Sequence, residues 1–314
     1  MHPAFSILFF TTLAGTAQGL VVLLAMAVLG GVVMAPGFLL MALGLAGVLL
    51  VAGLAASFLH LGRKSQAWRA VLMWRTSWMS REVIVLPAFI GLVGLWWVLL
   101  ESESSLVQPW FVTWFMPVIL ILGALALWYC TAMIYACLRF IEEWAHPLTI
   151  VNFTLIGLSS GLVLGCALAA MSGEAALLRA ASPFALTFTL LAWFTRMLAL
   201  KRNGAIKHKS TLQSATGIQS ATLVQKSMGM SAGAFNTREF FHGASQVLLK
   251  NVKIGFILLA FAVPSLLLLW GYSIQHGWPF VLALAAQAPG LIAERWFFFA
   301  QAKHPQNLYY QVVS

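Results

Sequence analysis

The chain has 314 residues, of which 61% are hydrophobic and only 8% are charged, and its mean hydropathy is +0.91. A soluble domain carries about 25% charged residues, so this chain lacks the polar surface of a water-facing globule, and lipid is its expected solvent. The net charge of +10 could suggest nucleic acid, but the basic residues lie in short connections between apolar runs, where they orient helices in a membrane.

Apolar runs long enough to cross a bilayer, about 20 residues each, recur along the chain. The first follows Met1-His2-Pro3 and is too long for the core of a signal peptide, so we expect it to be retained. The alternating pattern of a transmembrane β-barrel is absent. The sequence predicts an all-α integral membrane protein with one domain over 1–314 and about eight transmembrane helices, at 5–30, 36–61, 82–100, 110–138, 149–171, 183–200, 251–272 and 279–301.

The basic residues are divided unequally between the two sides of this predicted bundle. One side carries Arg179 with Glu101, Glu103 and Glu174. Since basic connections stay in the cytoplasm, we expect both termini to face the cytoplasm, in a bacterial inner membrane. The cytoplasmic side would then hold Arg63, Lys64, Arg69, Arg75, Arg81, Arg139, Arg196, Lys201, Arg202, Lys207, Lys209, Lys226, Arg238, Lys250, Lys253 and Lys303.

The connection at about 201–248 is the long polar segment of the sequence, rich in Ser, Thr, Gln, Gly and Lys. It is either a solvated linker near anionic headgroups or a docking surface for a cytoplasmic partner. Glycines at a spacing of four residues, Gly15 with Gly19 and Gly157 with Gly161, predict close helix packing.

Ionisable residues within or beside membrane spans are costly and therefore point to function. His60 ends the second predicted helix, Glu82 begins the third, and Glu294 and Arg295 precede the end of the eighth, all toward the basic side. This set suits a quinone head group, because quinone reduction needs hydrogen-bond donors to the carbonyl oxygens and titratable groups for two protons. The alternative is that His60 is merely interfacial. Adjacent Glu294 and Arg295 are expected to point apart, so one of them should form a structural interhelical pair.

Tryptophans and arginines alternate between Ser65 and Ser80. They predict either a lip of the quinone site or a docking segment for a partner. The alternative is an amphipathic segment anchored in the membrane interface by Trp and Arg. The candidate residues are Arg63, Trp68, Arg75, Trp78 and Arg81.

The histidines argue against a haem, because His60 stands alone and the others fall at helix ends or in connections. Cys130, Cys137 and Cys166 lie in apolar runs without metal-ligand or disulfide spacing, so we also predict no metal site. Without a cofactor in the bilayer, any redox role requires a partner's electron carrier next to the basic side. The other histidines are His2, His146, His208, His242, His276 and His304.

Three segments resemble the membrane anchor of dimethyl sulfoxide reductase. They are Ala-Ser-Phe-Leu-His-Leu-Gly at 56–62, Ser-Trp-Met-Ser-Arg-Glu at 77–82 and Gly-Leu-Ile-Ala-Glu-Arg-Trp-Phe-Phe-Phe at 290–299. The resemblance implies eight helices, no haem, and a quinone site next to an iron–sulfur subunit that exchanges electrons with a molybdopterin catalytic subunit. It also implies a role in quinol handling for the histidine of the Leu-His-Leu-Gly motif, which is His60 here.

One departure from that family concerns orientation. The best-studied dimethyl sulfoxide reductases place their catalytic subunits outside the cytoplasmic membrane, whereas the basic connections put the His60 side inside. The membrane subunits of cytoplasm-facing, sulfite-oxidising quinone reductases are the more apt relatives, and the opening Met-His-Pro-Ala-Phe-Ser at 1–6 is similar to that subgroup.

The resulting hypothesis is a quinone-reactive anchor of a three-subunit molybdenum enzyme that couples sulfite oxidation to quinone reduction and catalyses nothing alone. His60 would bind a quinone carbonyl, Glu82 and Glu294 would relay protons, and Arg295 would hold a carboxylate or the head group. Three alternatives remain: an anchor that oxidises quinol for a dimethyl sulfoxide reductase-type enzyme, a proton-coupled secondary transporter, and a passive anchor. The charges crowd one side and no internal repeat is visible, which counts against the transporter.

Overall fold

A computed structural model describes residues 4–59, 64–102, 108–207, 211–224 and 245–303. His60 and Arg63 lie outside these ranges, so the roles predicted for them have no structural description. Within the described residues the chain is helical and contains no strand.

Eight long helices form the described part of the chain. Seven of them are long and apolar enough to cross a membrane, whereas α8 carries Gln287, Glu294 and Arg295, which lower its hydropathy. The predicted all-α membrane bundle is therefore confirmed. The helices are α1 (Phe5–Leu29), α2 (Pro36–Leu59), α3 (Trp78–Glu101), α4 (Phe111–Ala136), α5 (Pro147–Ser172), α6 (Ala175–Gly204), α7 (Gln246–Ile274) and α8 (Trp278–Ala300).

Shorter elements interrupt or join these helices. A 3₁₀ helix covers Lys64–Met73 between α2 and α3, and a one-turn helix covers Leu212–Thr216. The hydrogen-bonding pattern widens to a π-helix at Phe111–Phe115 in α4 and at Ile257–Ala262 in α7. Because α6 extends to Gly204 and α7 begins at Gln246, helix covers both ends of the predicted polar connection.

Helices α3, α6 and α7 begin at least four residues earlier than expected, for reasons visible in their caps. Helix α7 starts at Gln246 because the Ser245 side chain accepts a hydrogen bond of 3.2 Å from the Leu248 amide. Helix α3 starts at Trp78 because the Ser77 side chain accepts a hydrogen bond from the Ser80 amide, 3.3 Å away. Helix α6 starts at Ala175, with Pro183 inside it, because Gly173 turns the chain in the left-handed region at φ 75°.

Helix α5 is the centre of the bundle, and 78% of the residues in its most apolar 18-residue stretch are buried. It packs against α1 at glycine contacts: a Cβ on Gly161 would collide with the backbone of Gly19, and a Cβ on Gly19 with the carbonyl of Gly157. The packing predicted from the glycine spacing is therefore present. It brings α1, α4, α6 and α8 around α5.

The connections meet at two opposite ends of the bundle. At one end, the Ala35 amide donates a hydrogen bond of 3.2 Å to Glu174, which joins the α1–α2 and α5–α6 turns. At the other end, Arg202 donates to the Glu142 carbonyl at 2.7 Å. We call this second end the basic end, because the connections on its side carry nearly all the basic residues.

Candidate functional site

Three charged side chains form a buried cluster on α6 and α8 toward the basic end. Arg196 Nε lies 2.6 Å from Glu294 Oε1, and Arg295 Nη2 lies 2.5 Å from Glu294 Oε2. Glu294 is fully buried, and both arginines are at least 95% buried. We call Arg196, Glu294 and Arg295 the buried triad.

The triad corrects one expectation and confirms another. Glu294 and Arg295 were expected to point apart, but the long Arg295 side chain folds back onto its neighbour, and its Nε donates a hydrogen bond of 2.5 Å to Glu294. The expected interhelical pair exists, with Arg196 as its second member. Each guanidinium also lies over an aromatic ring, Arg196 at 5.6 Å from Phe256 and Arg295 at 4.3 Å from Phe153.

A second buried carboxylate, Glu82, lies at the start of α3. Its Oε1 accepts a hydrogen bond from the Thr131 hydroxyl on α4, and its side chain is nearly inaccessible to solvent. Thr131 and Arg295 line the same cavity, and Tyr135, one turn further along α4, stacks on Phe153, the ring beside the Arg295 guanidinium, so the carboxylate and the triad are neighbours. This neighbourhood holds two buried carboxylates, Glu82 and Glu294, and the guanidiniums of Arg196 and Arg295.

An aromatic layer lies between this neighbourhood and the basic end. Tyr135 stacks on Phe153 at 5.6 Å, and Trp144 stacks on Phe298 at 5.4 Å. The Trp144 indole donates a hydrogen bond of 3.1 Å to the Phe298 carbonyl, which ties the α4–α5 connection to α8. The layer separates the triad from bulk solvent. Because the local dielectric constant is then low, the ion pairs of the triad are stronger than they would be in water.

Two small cavities flank Arg295. The inner cavity lies among α1, α4, α5 and α8, has a volume of about 20 Å³ and is lined by Thr131 and Arg295. The outer cavity lies between the α4–α5 connection, α5, α6 and α8, has about 10 Å³, and is lined by Arg196, Arg202 and Arg295 among others. Each volume suits about one water molecule and neither admits a quinone ring.

His146, on the wall of the outer cavity, has a local structural role. Its Nδ1 accepts a hydrogen bond of 3.1 Å from the Leu148 amide and so caps α5. Burial, and secondarily the positive charge of Arg202, lowers its pKa below the ordinary value. Both effects favour the neutral imidazole that this cap requires.

The comparisons with known proteins decide the family. Residues 1–267 match the family described as DMSO reductase anchor subunit (DmsC). This chain belongs to that family. A protein of Allochromatium vinosum that is named as a subunit of sulfite dehydrogenase is 44% identical to it over 328 aligned positions, which cover 100% of both chains. The resemblance stated from the segments at 56–62 and 77–82 is confirmed, and the third segment, at 290–299, lies beyond the family match but within the alignment with the Allochromatium relative.

The structure of this membrane anchor brings some of the predicted site residues together and separates others. Thr131, the hydrogen-bond partner of Glu82, lines the same cavity as Arg295, whereas Glu294 is enclosed by its two arginines. His60 lies outside the described residues. Within the described ranges no group of three or more His, Cys, Asp or Glu side chains could hold a metal ion.

The segment before α3 is organised by Arg81. Its Nε and Nη2 donate hydrogen bonds of 2.9 and 2.8 Å to the carbonyls of Trp74 and Arg75, and its guanidinium lies 4.0 Å from the Trp78 ring. Trp78 in turn makes an edge contact with Tyr129 of α4 at 5.3 Å. Arg81 and Trp78 therefore fix the entrance of the chain into α3, directly before Glu82.

Trp68 and Arg75, the other predicted lip residues within the described ranges, point outward. Trp68 is 62% exposed, with Arg69 at 5.6 Å from its ring, and Arg75 lies 5.4 Å from the exposed Trp74. This pattern of apolar rings and cations fits a membrane interface or a partner surface, two of the three interpretations that the sequence left open.

Sequence reasoning did not assign Arg196, Thr131 or Tyr135 to the site. Arg196 had a usable signal, because it is a charge inside an apolar run, as Glu294 is. Thr131 and Tyr135 had none, since hydroxyl side chains are common in membrane helices and only the fold places these two beside Glu82.

Proposed function

We propose that this chain is the quinone-reactive membrane anchor of a three-subunit molybdenum enzyme that couples sulfite oxidation to quinone reduction. The name of the Allochromatium relative, a subunit of a sulfite dehydrogenase, supports the substrate. The observation that carries the quinone role is Glu82, a buried carboxylate with a hydroxyl partner beside a buried guanidinium cluster. Buried ionisable groups in membrane helices are costly and mark proton or substrate sites.

In this proposal the anchor binds and protonates quinone and does not itself oxidise sulfite. Bound quinone takes up two electrons, delivered by an iron–sulfur partner, together with two protons. His60 donates a hydrogen bond to a quinone carbonyl, and Glu82 exchanges protons with the head group. Because neither cavity admits a ring, the head group binds on the lipid-facing or partner-facing side of Glu82.

Glu294 and Arg295 have supporting roles in this scheme. Arg295 holds a carboxylate, one of the two roles expected for it, and that carboxylate is Glu294. Glu294 is fully buried, so it acts on the quinone site through charge rather than by contact. It holds the guanidiniums of Arg196 and Arg295 in place between α6 and α8.

The proposed partners dock at the basic end. The iron–sulfur subunit would bind there, next to the exposed Trp68 and the start of α3, and the molybdopterin subunit would bind to it. The excess of basic residues on this side supports a cytoplasmic location for this end and for both termini, in a bacterial inner membrane.

The test is the variant His60→Ala in the complete complex purified from native membranes. Sulfite-dependent quinone reduction should be lost, while sulfite oxidation with a soluble dye and the molybdenum and iron contents stay at the wild-type level. His276→Ala is the matched control, because His276 is exposed in the α7–α8 turn at the opposite end. Normal quinone reduction by His60→Ala would contradict the proposed role of His60, and loss of the partner subunits would make this residue structural.

A further inference from the structure

The inner cavity contains more polar groups than its protein neighbours satisfy. Thr12 Oγ1, Gln18 Oε1 and Trp128 Nε1 are buried, line this cavity, and find no hydrogen-bond partner among the described residues. Buried polar atoms are nearly always paired, with ordered water where protein groups fail. A volume of about 20 Å³ is enough for one water molecule, which these groups would help to satisfy.

The outer cavity, on the other side of Arg295, is also lined by a buried polar group that the described residues leave unpaired. Arg196 Nη2 is buried and without a hydrogen-bond partner in the described part of the chain, and Arg196 lines this cavity. Its wall also includes Arg202 and His146, which are only half-buried and lie at the basic end. The outer cavity therefore reaches from the buried triad toward the aqueous side.

Arg295 and Thr131 connect these two cavities to Glu82. Arg295 lines both cavities, and Thr131 lines the inner one. The Thr131 hydroxyl donates its hydrogen to Glu82, which leaves its oxygen lone pairs free to accept a hydrogen bond from cavity water.

We propose that the two cavities hold water and carry protons from the basic end past Arg295 to Thr131, which passes them to Glu82. The proposal rests on the quinone role of Glu82 given above. At each step a water or hydroxyl oxygen accepts one proton and releases another, so Glu82 alone changes charge, and Arg295 keeps its proton throughout. The ionisable groups around Glu82 are Arg81 on its own helix, Cys130 and Tyr135 on α4, and Arg295 on α8.

The variant Thr131→Val tests the last step, since valine keeps the shape and removes the hydroxyl. In the complete complex, quinone-coupled sulfite oxidation should fall by about 10- to 100-fold. Its solvent isotope effect in D₂O should rise, because proton delivery becomes slower than electron transfer. Dye-linked sulfite oxidation should not change. Thr131→Ser, which keeps the hydroxyl, should restore the rate and the wild-type isotope effect.

A matched control is Thr154→Val, because the Thr154 hydroxyl bonds to the Ile150 carbonyl of its own helix and the side chain lines neither cavity. It should leave the quinone-coupled rate unchanged. A normal rate in Thr131→Val would overturn the proposal. So would a fall without a larger isotope effect, since that result indicates a structural role for Thr131.

The outer half of the route is tested by Ala199→Leu, which fills the outer cavity from its buried wall. Quinone-coupled turnover should fall with a larger isotope effect, while dye-linked turnover persists. An unchanged rate would show that protons do not pass through this cavity. If the wild-type complex itself reduces no quinone, the proposed function fails; if it does and these variants match it, only the proton route fails.

Discussion

At the scale of single residues, the buried triad shows why this chain tolerates charge in a membrane. Both oxygens of Glu294 face a guanidinium, and each guanidinium also has an aromatic ring beside it. A buried ion pair that keeps all its partners need not stabilise a fold, but one that loses a partner leaves an uncompensated charge. Glu294 is therefore the residue on which the two buried arginines depend.

The variant Glu294→Gln should destabilise the protein by about 3–5 kcal/mol, because Arg196 and Arg295 lose their common counter-charge. Thermal unfolding in detergent, followed by tryptophan fluorescence, measures the change. Glu101→Gln, at the exposed end of α3, should unfold like the wild type. A melting temperature of Glu294→Gln equal to that of the wild type would mean that the triad is not a stabilising unit.

The sequence reveals a site residue when its type is rare in membrane helices. Glu82, Glu294 and Arg295 were found because charges are scarce in apolar runs. The fold back of Arg295 onto its neighbour could not be foreseen, since it depends on Arg196 arriving from α6 and on Phe153 beneath the guanidinium. Helical geometry alone gives the direction of a Cβ and not the path of a long side chain.

At the scale of helices, the glycine contact between α1 and α5 determines how the site is assembled. The backbones touch at Gly19 and Gly161, which draws α1 onto α5 and places Thr11, Thr12 and Gln18 on one wall of the inner cavity. Small residues at a four-residue spacing permit this approach in a membrane, where van der Waals packing drives helix association.

Gly161→Ala tests this contact. The new Cβ would lie inside the Gly19 backbone, so α1 and α5 must separate, and the protein should lose several kcal/mol of stability or fail to assemble. Gly91→Ala on α3 is the control, because a Cβ there meets nothing within 4 Å. Comparing yield and melting temperature in detergent measures the effect, and equal values for the two variants would refute a packing role for Gly161.

The positions of the helices were predictable, because apolar runs of sufficient length are unambiguous. The first and last residues of the helices were harder to predict from hydropathy. The apolar run predicted a start at residue 183 for α6, although the chain turns earlier, at Gly173, and Pro183 is accommodated inside the helix. The start of α3 depended on a cap from Ser77, which hydropathy does not register. The polar connection at 201–248 is shortened by helix at both ends.

At the scale of the whole molecule, both the exposed and the buried charges are distributed unevenly along the bundle. Exposed basic residues crowd one end, and the buried charges lie in the third of the bundle nearest to it. The unequal distribution of Lys and Arg was readable from the sequence, because it requires only the order of the spans. The convergence of α3, α4, α6 and α8 beneath the aromatic layer required the fold.

This distribution of charge is consistent with the proposed role of the anchor in quinone reduction. In the proposed function, electrons from a partner and protons from the aqueous side both arrive at the basic end and meet at Glu82. The Glu82 carboxylate accepts a hydrogen bond from Thr131, which lines the same cavity as Arg295 of the triad. Loss of the Glu82 carboxylate should therefore impair quinone reduction without affecting sulfite oxidation.

The most direct measurement is the rate of sulfite-dependent quinone reduction by the purified complete enzyme carrying Glu82→Gln, set against its dye-linked sulfite oxidation. The account predicts a loss of quinone reduction by about 100-fold or more, as for a general acid–base residue, with dye-linked activity and metal content unchanged. Quinone reduction at the wild-type rate would contradict the account, because Glu82 would then take no part in the chemistry.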